Sequence, residues 1–222
     1  MKKVITTIAM TTLLAASTIS FQAFATEGLS ANVAATSNYL WRGLEQTGGD
    51  TAISGGIDYA VDSGFYAGTW VSNASWDDGM SYELDIYGGY GADINDNMSY
   101  DVGFIYYAYP DADEHVNFSE VYGSFTFTGL TLGLAVLTSA DGFDAGDSIY
   151  ASADYSLTLG NDAEVAFHLG NYSGDFSTDS TDFGVSLSKD NFTFGVSKTD
   201  SDDGGSSDDM KFYVSYSVDI SL

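Results

Sequence analysis

From Leu29 to the last residue, apolar side chains recur at every second position in segment after segment, and that period leaves few folds open. A period of two belongs to β-strands whose two faces meet different surroundings. The pattern is plainest in Phe212, Val214, Tyr216, Val218, Ile220 and Leu222. It is nearly as clear in Leu130, Leu132, Leu134 and Val136, and in Met98, Tyr100, Val102, Phe104 and Tyr106. The first segment reads Leu29, Ala31, Val33, Ala35, Tyr39 and Trp41, and the fourth reads Met80, Tyr82, Leu84, Ile86 and Tyr90. The stretches near 65–74 and 116–127 are strands of less certain parity, the second taking Val121, Phe125 and Phe127 as its apolar set. The count is twelve strands. A chain rich in Gly, Tyr and Phe, with Pro110 its only proline, suits many strands joined by tight turns. It has no cysteine, which excludes a disulfide scaffold, a thiolate metal site and a cysteine nucleophile together.

The connections alternate in length. Longer ones fall at 42–50, 75–79, 110–115, 139–147, 173–180 and 200–209, and mostly tight turns at 62–64, 92–97, 128–129, 158–162 and 189–191. A soluble sandwich has no reason to collect its long loops at one end of every hairpin. An outer-membrane barrel has short periplasmic turns and longer outer loops. Closure also removes the edges that an open sheet of this size would expose. The expected fold is therefore an all-β, antiparallel transmembrane barrel of about twelve strands, spanning residues 26–222. Tyr39, Trp41, Trp70, Trp76, Tyr90, Tyr100, Tyr109, Tyr155 and Tyr172 lie near segment ends and as a set fit the interfacial girdles of such barrels.

Residues 1–25 differ from the rest. Lys2 and Lys3 precede an apolar, Thr-rich run, and Ala23-Phe24-Ala25 supplies the small-x-small pattern of a cleaved secretory signal peptide. The expected partners are the outer-membrane assembly machinery, periplasmic chaperones, outer-membrane lipid and small hydrophilic solutes or ions. No later run approaches the ~18 consecutive apolar residues of a spanning helix. Six bases against 32 acids give a formal net charge of -26, so nucleic acid is excluded as a partner.

Charged residues within the strands fall mostly on the parity opposite the apolar set. These are Asp58, Glu83, Asp85, Asp101, Asp154, Glu164, Asp182 and Asp219, joined by Glu120, with His168 in a strand interior and Lys211 the only clear inward base. In a membrane barrel they line the lumen, and rings of Asp or Glu select cations. Mid-strand Asp85 and Glu120 are the candidates for the narrowest part. The alternative is that these carboxylates pair with lumen hydroxyls and hold a closed barrel together. Twelve strands lie between the eight that barely accommodate side chains and the sixteen of wide porins, so the pore should be narrow or occluded by its own side chains. The outer loops are too short for a separate plug domain.

Several ordered motifs resemble the TorF-like porin family, the exported Gcw_chp proteins. They are Thr36-Ser37-Asn38-Tyr39-Leu40-Trp41-Arg42-Gly43-Leu44-Glu45-Gln46-Thr47, Gly55-Gly56-Ile57-Asp58-Tyr59 and Gly64-Phe65-Tyr66-Ala67-Gly68-Thr69-Trp70. Glu83-Leu84-Asp85-Ile86-Tyr87-Gly88-Gly89-Tyr90, Tyr106-Tyr107-Ala108-Tyr109-Pro110 and Phe118-Ser119-Glu120-Val121-Tyr122 continue the series. The resemblance covers roughly residues 30–125. It implies an outer-membrane barrel and a pore, and names no substrate.

Enzymatic motifs are missing: there is no Gly-x-Ser-x-Gly elbow, no His-Glu-x-x-His pair and no phosphate-binding glycine loop. No resident cofactor is expected. Asp200, Asp202, Asp203, Asp208 and Asp209 crowd one loop and are candidates for a weak Ca2+ or Mg2+ site, since hard cations take several oxygens. The plainer reading is a solvated acidic rim. The function expected is passive diffusion of small hydrophilic solutes or ions, with cations preferred. A non-conducting adhesin or structural barrel and a secreted soluble acidic β-protein are the alternatives.

Overall fold

The computed structural model describes residues 28–202 and 208–222. The expected signal peptide, 1–25, lies outside the described residues. The strands are β1 (Gly28–Thr36), β2 (Leu40–Trp41), β3 (Leu44–Glu45), β4 (Ala52–Ala60) and β5 (Phe65–Asn73). Next come β6 (Tyr82–Asn95), β7 (Met98–Ala108), β8 (Phe118–Phe127), β9 (Leu130–Ala140) and β10 (Ser148–Thr158). β11 (Glu164–Gly174), β12 (Ser180–Lys189), β13 (Phe192–Ser201) and β14 (Lys211–Ser221) complete the chain. All but β2 and β3 form one closed antiparallel barrel of twelve strands, each paired with its sequence neighbours, with β1 closing against β14. In the closing pair Val33 faces Val218 and Ala35 faces Tyr216, so both strands keep their apolar parity on the same side.

That side is the outside. Leu134, Phe194 and Phe212 are 51%, 58% and 67% exposed, and Ile57, Val102, Leu132, Leu169 and Val185 stand out beside them. Such an exterior belongs in lipid and is the reverse of a water-soluble barrel's. Around the short-turn end run Phe65, Tyr90 and Tyr100, with the Phe65 and Tyr90 rings 4.9 Å apart, and Phe192 with Tyr216 at 4.8 Å. Of the aromatics expected in girdles, Tyr90, Tyr100 and Tyr155 lie on the outer parity, and Trp76 is a half-exposed loop residue packed edge-on against Tyr109 at 5.2 Å. The girdle assignment fails for Tyr109 and Tyr172, which are buried on the inner parity, and for Trp70, which also packs inward. It fails too for Tyr39 and Trp41, because β1 ends at Thr36 and the chain turns into the barrel.

Turns and loops alternate as the sequence suggests. The connections at one end are 61–64, 96–97, 128–129, 159–163 and 190–191, and those at the other are 37–51, 74–81, 109–117, 141–147, 175–179 and 202–210, all longer than the first set except 175–179, which equals 159–163 in length. The turn expected at 92–97 is shorter, because β6 runs on to Asn95 through a register shift at Asp93. Inward tyrosines lie across glycines of the next strand: Tyr66 opposes Gly89, Tyr122 opposes Gly103 and Tyr213 opposes Gly195. A Cβ at any of these three glycines would collide with the opposed ring, so glycine is what lets the tyrosine lie against the wall. A charge on the outer face tests the facing. Leu134→Arg, near the middle of β9, should cost about 2–4 kcal/mol of stability in lipid, and inward Ser124→Arg clearly less, as read from urea unfolding in vesicles. Equal losses would contradict it.

Candidate functional site

The interior is divided by height. At the short-turn end the inner face is reachable: Asp58 and Glu164 are half-buried and Asp219 is exposed. Toward the long-loop end it is filled, and Glu83, Asp85 and Glu120 are at most 2% exposed while Leu137 is fully buried. These three acids stand within a few residues of the long-loop ends of β6 and β8, above the mid-barrel position expected for Asp85 and Glu120.

The filling comes from the first loop, which was expected to face outward from residue 42. After Thr36 the chain enters the lumen, forms the β2–β3 hairpin with Leu40 opposite Glu45 and Trp41 opposite Leu44, and turns at Arg42-Gly43. Both turn residues have positive φ, 50° and 77°. The mirror-image turn that twists a two-residue hairpin correctly requires this. Gly43 supplies it without strain, and a Cβ there would collide with Thr199 and Asp182 across the lumen. Arg42 does so at a cost of roughly 1–3 kcal/mol, which its contacts must offset. At the base of the hairpin Asn38 Nδ2 donates to Glu45 Oε1 at 2.7 Å, and the backbone N–H of Ser75 donates to the Gln46 carbonyl at 2.7 Å. Leu40 is fully buried. Phe118 and Phe176 lie 4.9 Å apart with their planes tilted by 50°, and Phe118 packs against Trp41 of the hairpin.

The side chain at the tip is seated on the wall. Arg42 Nη1 donates to Glu120 Oε1 at 2.8 Å and Nη2 to Oε2 at 2.6 Å, a two-pronged pair with both partners buried. The guanidinium carbon lies 4.3 Å from the ring centroid of Tyr150 and 5.3 Å from that of Tyr172, and Trp41 covers it at 4.3 Å. Burial works against the arginine's charge, but the adjoining Glu120 outweighs it and holds the group above its ordinary value, so Arg42 stays protonated. Trp41 itself packs edge-on to Tyr107 and Phe118, at 6.1 and 5.7 Å.

Among the described residues, the nine acids expected inward stand on the wall strands and share the lumen with Arg42, His168 and Lys211. Tyrosine hydroxyls donate to many of them: Tyr39 to Glu83, Tyr66 to Asp101 at 2.8 Å, Tyr87 to Asp58, and Tyr150 to Asp182 at 3.1 Å. His168 is held at both nitrogens, Nδ1 to Asp154 at 2.6 Å and Nε2 to Asp182 at 2.8 Å. Lys211 is buried, and its Nζ donates to the Asp209 carbonyl at 3.4 Å. The structure thus brings Asp154, His168 and Asp182 into one network and Glu83 beside Asp85, and leaves Asp58, Glu164 and Asp219 toward the short-turn opening. What the sequence reading missed is Arg42 and its aromatic seat. The signal was an arginine between Trp41 and Gly43, in a loop facing an acidic lumen.

The candidate cation loop is described only in part. Asp200 is exposed within β13, Asp208 accepts from the Ser201 hydroxyl at 2.7 Å, and Asp203 lies outside the described residues. Among the described residues no group of three acids or histidines stands close enough to hold a metal ion.

A family model described as a bacterial protein of unknown function, Gcw_chp, matches residues 22–219. The chain belongs to this family. The match extends the resemblance seen at residues 30–125 to nearly the whole chain. Among solved structures, this Gcw_chp barrel is similar to the KdgM porin, with 13% identity and a TM-score of 0.56 over 87% of this chain and 99% of that one. A second structure, the KdgM porin in complex with disordered oligogalacturonate, gives 13% identity and a TM-score of 0.53 over 87% and 98%. At these identities the likeness is one of fold. No curated protein matches the sequence. In this Gcw_chp member the motif from Thr36 to Thr47 is the inward hairpin, and the motif from Phe118 to Tyr122 carries the carboxylate that holds it.

Trypsin can read the seat, because Arg42-Gly43 is itself a cleavable bond. In the wild type that bond should resist. Glu120→Gln leaves the arginine's charge buried without its carboxylate, a loss of about 3–5 kcal/mol. Cleavage after Arg42, followed by mass spectrometry, should then run on the order of 100-fold faster. Equal rates would show that Glu120 does not hold the hairpin.

Proposed function

We propose that the protein is an outer-membrane channel for small hydrophilic solutes, cation-preferring, in a conformation closed at its long-loop end by the first loop. The observation that carries this is a closed barrel, apolar outside, whose inner face holds nine carboxylates against Arg42, His168 and Lys211. Carboxylates of one sign inside low-dielectric walls concentrate cations. Those paired with tyrosines near the hairpin are engaged in holding it. The ones reachable from the short-turn end, Asp58, Glu164 and Asp219, supply the field a permeating ion meets first. Covalent chemistry is not part of the proposal, and both nitrogens of His168 face carboxylates, those of Asp154 and Asp182. Oligogalacturonate, bound by the KdgM porin, is a polyanion, and the acidic lumen here is of the wrong sign for it.

A second reading, a non-conducting structural barrel, is favoured by the same seal: hydroxyl-bound carboxylates and a buried hairpin would also hold a permanently shut barrel together. Planar-bilayer recording separates the two. In Arg42→Ala, whose hairpin has lost its seat, the channel reading expects discrete steps and, under a potassium chloride gradient, a reversal potential displaced toward that of potassium. It expects the displacement to shrink in the double variant Asp58→Asn with Asp219→Asn. Anion preference, or silence from folded wild type and Arg42→Ala alike, would overturn it.

A further inference from the structure

The seat of Arg42 is built mostly from the wall rather than from the loop that fills it. Glu120 comes from β8, Tyr150 from β10, Tyr172 from β11 and Tyr107 from β7, and only Trp41 travels with the hairpin. The wall groups are fixed by partners of their own. The Tyr150 hydroxyl lies 2.9 Å from His168 Nε2 and 3.1 Å from Asp182 Oδ2, which sets the ring plane that the guanidinium faces. Tyr107 is stacked on Phe118 with centroids 4.3 Å apart and planes 19° apart, and its hydroxyl points to Glu120 Oε2 at 3.4 Å. A carboxylate presenting both oxygens in one plane, between aromatic faces, fits a flat delocalised cation with parallel N–H donors. A metal ion would need more oxygens than Glu120 offers. An anion would meet like charge.

We propose that this wall pocket is a recognition site for small organic cations of the guanidinium class, and that Arg42 fills it as a tethered copy of the ligand. A permeating guanidinium solute displaces Arg42, and the hairpin leaves its seat with it. The tether gives Arg42 an effective concentration on the order of millimolar, so a solute of similar intrinsic affinity competes once its own concentration reaches that range. Potassium, without planar donors, does not. The inference deepens the channel reading by naming the solute class its lumen selects, and rests on it for the ligand's route but not for the pocket.

The test is equilibrium binding, which needs no conduction. Arg42→Gly vacates the pocket, and calorimetric titration of the folded variant in detergent with methylguanidinium chloride should give one saturable site of millimolar dissociation constant. Adding Glu120→Gln should weaken it at least about tenfold, the factor that one lost charge-assisted pair predicts. Tetramethylammonium, which can use the rings but not the carboxylate fork, should bind less tightly, and potassium chloride should give no site. In the wild type, methylguanidinium should produce a saturable red shift of tryptophan emission as Trp41 leaves the lumen, absent in Glu120→Gln, and this measurement stands if Arg42→Gly does not fold. Binding with a silent barrel would uphold the pocket and sink the channel. Conduction without saturable methylguanidinium binding, or binding indifferent to Glu120, would overturn the pocket and leave the channel.

Discussion

Within hydrocarbon a backbone N–H or C=O has no water to turn to, and a sheet can satisfy all of them only by meeting its own first strand. Here that constraint falls on the β1–β14 pair, whose register sets Val33 against Val218 and Ala31 against Ile220. The rest depends on this closure. Once β14 joins β1 with its parity intact, the outward positions across the middle of the barrel are mostly apolar and the inward ones are committed to a lumen of fixed width. Twelve strands make that lumen too wide for side chains of the wall alone to fill and too narrow for a folded domain. A two-strand hairpin fits.

The lumen is consequently a polar core as much as a passage. Carboxylates that would be costly to bury alone stand beside tyrosine hydroxyls, the Arg42 guanidinium or the His168 ring, and inward glycines make room for the tyrosines. Breaking a buried pair of this kind is far costlier than its net contribution to stability, because one charge is left behind. A pair with that property suits a seal that opens only when another cation takes the vacated place. The strained backbone at Arg42 points the same way: the tip is held in the left-handed region by what its side chain touches, so loss of those contacts favours release.

Much of the barrel was legible because its two faces differ in chemistry. Alternation marked the strands, the acids of the opposite parity face the lumen, and the odd–even spacing of loops located the two ends. The family motifs pointed to the same fold. The hairpin was hidden by the same rule that revealed the strands. Tyr39 and Trp41 continue the parity of Leu29 to Ala35, so the period carried the first segment five residues past its end at Thr36. An aromatic near a strand end reads alike whether it lies at the lipid interface, as Tyr90 does, or inside, as Trp41, Tyr109 and Tyr172 do. Parity assigns a side only while the strand lasts. Nor does spacing reveal that Arg42 and Glu120, 78 residues apart, meet across the lumen.

The first loop sits inside the barrel and shuts its long-loop end, and its reach from water measures this directly. The chain has no cysteine, so single introduced thiols report without background. Leu40→Cys places one on the buried hairpin, and Gly142→Cys places one in an open long loop with no neighbour within 4 Å of its Cβ. The rate of labelling by a bulky water-soluble maleimide, in vesicles, compares them directly. The account predicts that Leu40→Cys reacts on the order of 100-fold more slowly than Gly142→Cys, and that Arg42→Ala removes most of the difference. Equal rates in the wild-type background would place the hairpin in solvent and contradict the account.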